Sequence, residues 1–187
     1  SSKLLLACKK YNINKFIFSS SAAVYGEPKN IPITECHTTI PNNYYGETKL
    51  QIEKNLEWYS KVYDFNYISL RYFNAAGYNK VGKITCLENN PQNLIPIVME
   101  AMVGKRNLVE VYGDDYNTKD GTAIRDFIHV MDLARIHYLA GIYLMKNKKN
   151  LILNCGYNRG YTVNEILRIS EKIFKTQIKI KLFSRRK

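Results

Sequence analysis

No stretch of this chain approaches the ~20 consecutive apolar residues that a helix needs to cross a bilayer, so no membrane span is expected. Cysteine is scarce. Cys8, Cys36, Cys86 and Cys155 form no Cys-x-x-Cys pair, and His37, His129 and His137 do not fall at ligand spacing from them. That excludes the usual zinc patterns, so no metal is expected, and the thiols read as reduced ones in a cytoplasmic protein. Ten glycines never fall into G-x-G-x-x-G or G-x-x-G-x-x-G. A dinucleotide-binding fold needs such a turn, because the backbone and a helix N-terminus must approach the pyrophosphate closely. Repeats, heptads and low-complexity linkers are also missing. Acid is in short supply, with 16 Asp and Glu against 28 Lys and Arg, a net charge of +12. The basic residues are scattered over many segments and concentrate only in the tail from Lys172 to Lys187, so no nucleic-acid partner is expected. Richness in Asn, Lys, Ile and Tyr accounts for much of the composition without a functional cause.

What is present is an ordinary globular pattern, with 45% hydrophobic residues and a length that allows one or two domains. Residues 3–11 read as the end of a helix. Phe16-Ile17-Phe18 is a continuous apolar run of the kind that parallel sheets bury on both faces, so Lys15–Ser21 reads as a strand. Pro28, Pro32 and Pro41 punctuate a loop over 26–43. A helix is expected from about Asn43 to Val62 and a strand over 67–73. After an irregular stretch to about Asn90 come a helix near 93–103, a strand near 108–112 and a polar loop with Gly113 and Gly121. Then follow a helix from about Met131 to Met145, a strand Leu151–Cys155, a helix Val163–Phe174 and an alternating strand 177–182 with one wet face. Alternation of strand and helix argues for an α/β fold.

Chemistry concentrates in a few motifs. Ser19-Ser20-Ser21 closes the first strand. Tyr45-Gly46-Glu47-Thr48-Lys49 opens the long helix, and the four-residue spacing sets Tyr45 and Lys49 on one face, about one turn apart. A lysine there favours a neighbouring phenolate, and such a phenol can take a proton from a sugar hydroxyl. Tyr45 and Lys49 alone are also what an ordinary amphipathic face looks like. The context adds weight: Val24-Tyr25-Gly26 follows the serines, Leu70-Arg71-Tyr72-Phe73-Asn74 comes a strand later, and the segment Asp120 to Ala134 reads Asp-Gly-Thr-Ala-Ile-Arg-Asp-Phe-Ile-His-Val-Met-Asp-Leu-Ala.

In order and spacing this series resembles the extended short-chain dehydrogenase/reductase superfamily, in its NAD-dependent epimerase/dehydratase branch, and the resemblance runs through essentially the whole chain. It implies the C-terminal half of a Rossmann-type doubly wound parallel sheet plus a smaller α/β nucleotide-sugar lobe. Residues 1–76 would be the cofactor lobe and 77–187 mainly the sugar-nucleotide lobe, with a segment near 120–147 returning to the first. It implies inversion at C4 of a UDP-hexose through a 4-keto sugar with tightly held NAD. Tyr45 matches the base, Lys49 the lysine that tunes it and holds the nicotinamide ribose, and Ser21 the serine that binds the reacting oxygen. Ser19, Ser21, Tyr45, Lys49, Tyr72 and Phe73 match cofactor contacts. Ser21, Tyr45, Asn74, Asn93, Leu94, Glu110, Val111, Tyr112, Arg125 and Arg186 match substrate contacts, the two arginines suiting the diphosphate.

Plainer roles stay open: a strand-end cap for Ser21, an N-cap for Asn93, strand packing for Tyr72, Phe73 and Tyr112, and a solvated tail charge for Arg186. The absence of the glycine-rich turn leads to the expectation that the first βα units of the family are missing and that this chain alone is inactive. A homodimer is expected of the complete protein. The nearest rivals are another nucleotide-sugar epimerase, a 4,6-dehydratase and a non-catalytic nucleotide-binding protein. The dehydratases carry an acidic pair after the strand hydroxyl, whereas Ala22-Ala23 stands here.

Overall fold

The computed structural model describes residues 2–79, 81–82 and 88–185. In chain order the elements are α1 (Ser2–Lys10), β1 (Lys15–Ser21), a 3-10 turn (Ala22–Tyr25), α2 (Tyr44–Val62), β2 (Asn66–Tyr72), β3 (Asn74–Ala76) and α3 (Leu94–Met102). They continue with β4 (Val109–Tyr112), β5 (Ile124–His129), α4 (Val130–Lys146), β6 (Leu151–Cys155), β7 (Gly160–Thr162), α5 (Val163–Phe174) and β8 (Ile180–Phe183). The chain divides into two compact units: Ser1–Gly77 with Ile128–Asn158, and Tyr78–Phe127 with Arg159–Lys187. Among the described residues no helix is long and apolar enough to cross a membrane.

The first unit is a parallel sheet in the order β1–β2–β6 with helices on both faces. Alternation along the strands sorts the side chains. Phe18 and Tyr67 turn to one face, where they pack with Leu5 and Cys8 of α1 and Leu56 of α2. Ile68, Leu70 and Cys155 turn to the other, against Ala140 and Leu144 of α4. The register sets three rows across the sheet: Ser19–Leu70–Leu153, Ser20–Arg71–Asn154 and Ser21–Tyr72–Cys155. The sheet is thus the doubly wound α/β arrangement, and its carboxyl end carries the serines.

In the second unit β4 pairs with β8 in parallel and β5 with β7 antiparallel. Its core is Val98, Met102, Val109, Val111, Leu167 and Ile178. Thr162 and Glu165 cap α5 reciprocally, each side chain bonding the other's backbone N–H.

Two expectations shift. The last strand starts at Ile180 rather than 177, and Ile180 and Leu182 are both exposed, because Ile178 takes the core position and its N–H donates to Glu171 Oε1 at 2.8 Å. The stretches read as irregular or as loop contain the short strands β3, β5 and β7. Three-residue strands such as β3 and β7 are too short for a period of two to register.

Candidate functional site

The candidate residues fall into two groups, one in each unit. In the first, Ser21 ends β1 and its Oγ accepts a hydrogen bond from Ala23 N at 3.2 Å. The capping role is therefore real, and the hydroxyl proton is left to donate elsewhere. Tyr45 stands in the first turn of α2 with 56% of its surface exposed. That turn is started by Asn43, whose Oδ1 accepts from Gly46 N at 2.8 Å. Gly46 is buried so closely against the 3-10 turn that a Cβ there would lie 2.4 Å from Ala23 O. The absent side chain lets the start of α2 sit against the turn that follows Ser21.

Lys49 reaches back from α2 to β1. Its Nζ donates to Ser19 O at 2.8 Å and lies 5.5 Å from the centre of the Tyr45 ring. Tyr72 OH lies 2.7 Å from Ser19 Oγ and 2.5 Å from His137 Nε2. His137 Nδ1 is 2.8 Å from Leu133 O, which can only accept, so Nδ1 carries a proton and donates to it. Burial pushes the Tyr72 phenol above its ordinary range, against the opposing effect of the Ser19 bond, so Tyr72 is a neutral hydroxyl. Phe73 is half-buried and its N–H donates to Cys155 O at 3.1 Å, and Asn74 opens β3. A phenol, an ammonium and two serine hydroxyls thus gather at the carboxyl end of a parallel sheet, where open α/β sheets bind ligands. The set can exchange a proton with a ligand hydroxyl and hold further hydroxyls through Lys49.

Behind this group lies a buried polar row absent from the sequence reading. Arg71 and Glu53 are each 4% exposed. Arg71 Nη2 donates to Glu53 Oε2 at 2.6 Å and Nε to Glu53 Oε1 at 3.0 Å. Ser20 Oγ donates to Glu53 Oε1 at 2.5 Å, and Arg71 Nη1 to Tyr25 OH at 2.8 Å. Tyr25 OH donates to Asn154 Oδ1 at 2.8 Å, and Asn154 N to Glu35 Oε1 at 2.8 Å. The signal in the sequence was an arginine amid the apolar residues of β2, a charge that needs a partner once buried.

In the second unit, Asn93 holds the N-cap position of α3 and makes no side-chain cap bond, and Leu94 begins the helix. Val111 is buried in the core, while Glu110 and Tyr112 face outward on β4. The Tyr112 ring stacks on Phe183 at 5.5 Å. Arg125 is exposed on β5, opposite Tyr161 of β7, and its Nη1 donates to Ile124 O at 2.8 Å. Arg186 lies outside the described residues.

Asp120 explains why the Asp-Gly-Thr segment has its composition. Its Oδ1 accepts from Thr122 N at 3.0 Å and Thr122 Oγ1 at 2.7 Å, and its Oδ2 from Thr162 Oγ1 at 2.5 Å. Gly121 has φ +77°, and a Cβ there would fall 1.9 Å from Asp114 O. The segment is thereby fastened to the start of α5, with Asp120 five residues before Arg125 on β5.

The sequence profile of the NAD dependent epimerase/dehydratase family matches residues 1–156. UDP-glucose 4-epimerase of Halalkalibacterium halodurans is 46% identical over 170 residues, which cover 91% of this chain and 51% of that protein. The Lacticaseibacillus casei enzyme of that name is 41% identical over 183 residues, covering 98% of this chain and 55% of the relative. The solved UDP-glucose 4-epimerase from Brucella ovis, in complex with NAD, superposes with TM-score 0.93 at 42% identity over 99% of this chain and 57% of that one. That from Bifidobacterium longum, in complex with NAD+ and UDP, gives 0.91 at 40% identity over 98% and 55%. The chain spans about half the length of the curated relatives it matches.

Proposed function

Because the chain belongs to the NAD dependent epimerase/dehydratase family, we propose that it is the part of a UDP-hexose 4-epimerase that carries the proton-transfer group and the sugar-nucleotide contacts. The observation that carries this reading is the convergence of Ser21, Tyr45 and Lys49 at the carboxyl end of β1, with Lys49 Nζ both bonded to Ser19 O and lying over the Tyr45 ring.

The residues present fit one end of NAD. The Lys49 ammonium suits ribose hydroxyls, and Tyr72, Ser19 and the Phe73 ring line the strand ends where a nicotinamide would lie. When bound, NAD supplies a reversible acceptor for the hydrogen and electron pair of C4. The chain's own residues do the rest. Tyr45, exposed at the helix start, takes the proton from the C4 hydroxyl and later returns it. Lys49, whose ammonium lies 5.5 Å from the centre of the Tyr45 ring, places positive charge near the phenolate that accepts this proton. Ser21 donates to the sugar oxygen with the proton its capping bond leaves free. Arg125, with its exposed guanidinium, is assigned to the diphosphate, and Tyr112 on its Phe183 stack to the uracil. The methyl groups of Ala22 and Ala23 cannot exchange protons, which favours epimerisation over dehydration across C5 and C6.

In the full-length gene product, Tyr45→Phe is expected to lower kcat by about 10²–10⁴-fold while UDP-hexose binding, read by calorimetry, changes little. A variant with near-normal kcat would remove Tyr45 from the mechanism. We extend the reading to a cytoplasmic homodimer. Its support is the free thiols of Cys8, Cys36 and Cys155 and the apolar exposure of α2, where Tyr44 is 84% and Trp58 65% accessible. Sedimentation at the mass of one chain would overturn the dimer.

A further inference from the structure

Tyr45, Lys49 and Glu53 are spaced four residues apart on α2, so they form one stripe along one face of the helix. Tyr45 is at the exposed end of the stripe and Lys49 in the middle, and Glu53 is the buried end, 4% exposed. Glu53 is where α2 is fastened to the sheet by charge. Its carboxylate accepts one bond from Ser20 on β1 and two from Arg71 on β2. Ser20, Arg71 and Asn154 form one row across the sheet, directly beside the row of Ser21, Tyr72 and Cys155. Tyr25, in the turn that Ser21 caps, closes the set by accepting from Arg71 and donating to Asn154.

We infer that the Glu53–Arg71 pair is a positioning device for the reaction: it fixes the rotation of α2 against β1 and so the distance from Tyr45 and Lys49 to Ser21. The inference rests on the assignment of Tyr45 as the proton-transfer group.

Three features separate this pair from a generic staple. The side-chain partners lie next to candidate site residues: Ser20 adjoins Ser21, Arg71 itself adjoins Tyr72, and Tyr25 lies in the turn that Ser21 caps and against which Gly46 packs. The geometry is bidentate and therefore directional, since the planar guanidinium fork admits one orientation of the carboxylate. And the charges are deeply buried, where apolar residues of similar volume often give a core equal or greater stability. Burial alone disfavours the Arg71 charge, yet the bonds to Glu53 and Tyr25 outweigh it and raise its pKa above the ordinary value. Burial likewise pushes the Tyr25 phenol up, so it stays a neutral donor to Asn154. A small rotation of α2 about its axis moves Leu50 and Leu56, which lie nearer the axis, less than it moves the tip of the longer Tyr45 side chain. It would swing the Tyr45 hydroxyl by about 1 Å, a displacement that can cost on the order of 10²-fold in rate.

The test uses the full-length gene product and two variants. Glu53→Met with Arg71→Met replaces the pair by apolar side chains. Arg71→Lys keeps the charge but loses the fork, and it decides by the same readout if the apolar pair does not fold. With kcat expressed per folded molecule, both are expected to lose about 10²-fold in kcat with KM for the UDP-hexose within about twofold. Restoring the charge without the fork, as in Arg71→Lys, should not restore kcat. Folded variants with wild-type kcat, or a loss that vanishes once the folded fraction is counted, overturn the inference. If Tyr45→Phe is itself without effect, the assignment of Tyr45 fails. If Tyr45→Phe is severe and Arg71→Lys harmless, only the positioning role fails.

Discussion

The Asp-Gly-Thr segment is among the motifs that carry the sequence resemblance, and the sequence alone assigns no role to its aspartate, Asp120. The structure gives Asp120 the task of tying the segment to α5 through Thr122 and Thr162. Partial desolvation opposes the charged form, but these hydrogen bonds outweigh it and hold the carboxyl below its ordinary 3.8. A carboxylate with a lowered folded pKa contributes stability that is complete above its unfolded value and is lost as pH falls through the folded one. Thermal unfolding should therefore show Asp120→Asn less stable than the wild type at pH 7 by about 1–2 kcal/mol. The gap should narrow as the pH drops below 4. A gap that is constant down to pH 2.5, or absent at neutral pH, would sink this account of the motif. The Thr162-x-x-Glu165 cap on the same helix is local and is written as a four-residue pattern before an apolar run, a signal that the sequence reading left unused. The Asp120–Thr162 bond spans two segments and left no such trace.

At the scale of elements, β1 could be read from its continuous apolar run, and α2, β2 and β6 from the alternation of helix-like and strand-like segments. What could not be read is how closely they approach. Gly46 is the clearest instance: the sequence shows a glycine inside a helical pattern, and only the fold shows Ala23 O lying where its Cβ would be. The obstacle is a backbone carbonyl, so α2 or the turn after Ser21 must move to admit a methyl group. Gly46→Ala is expected to destabilise by about 1–3 kcal/mol despite alanine's better helix propensity, and to lower kcat by tilting the turn that carries Tyr45. Calorimetric unfolding beside steady-state kinetics checks both. An alanine variant as stable and as fast as the wild type would mean that the approach of α2 to the turn is looser than described. The buried row of Ser20, Arg71, Asn154 and Glu53 was hidden for a related reason. Its members are spread over four elements, and their register exists only once the strands pair.

For the whole molecule, the α/β class and the family were legible because the motifs are short and keep their order. Division into two units interrupted by a return of the chain was an expectation from the resemblance, because it follows from topology, which local patterns do not encode. The central claim is that a C4 hydrogen leaves the sugar and comes back without meeting water, while Tyr45 handles the proton. The most direct measurement supplies UDP-galactose deuterated at C4 to the full-length gene product in ordinary water, with no added reductant, and follows the products by NMR. The account predicts conversion to UDP-glucose with the deuterium retained at C4. No conversion by an enzyme that binds NAD and the sugar nucleotide, or conversion with the label lost to solvent, would contradict it.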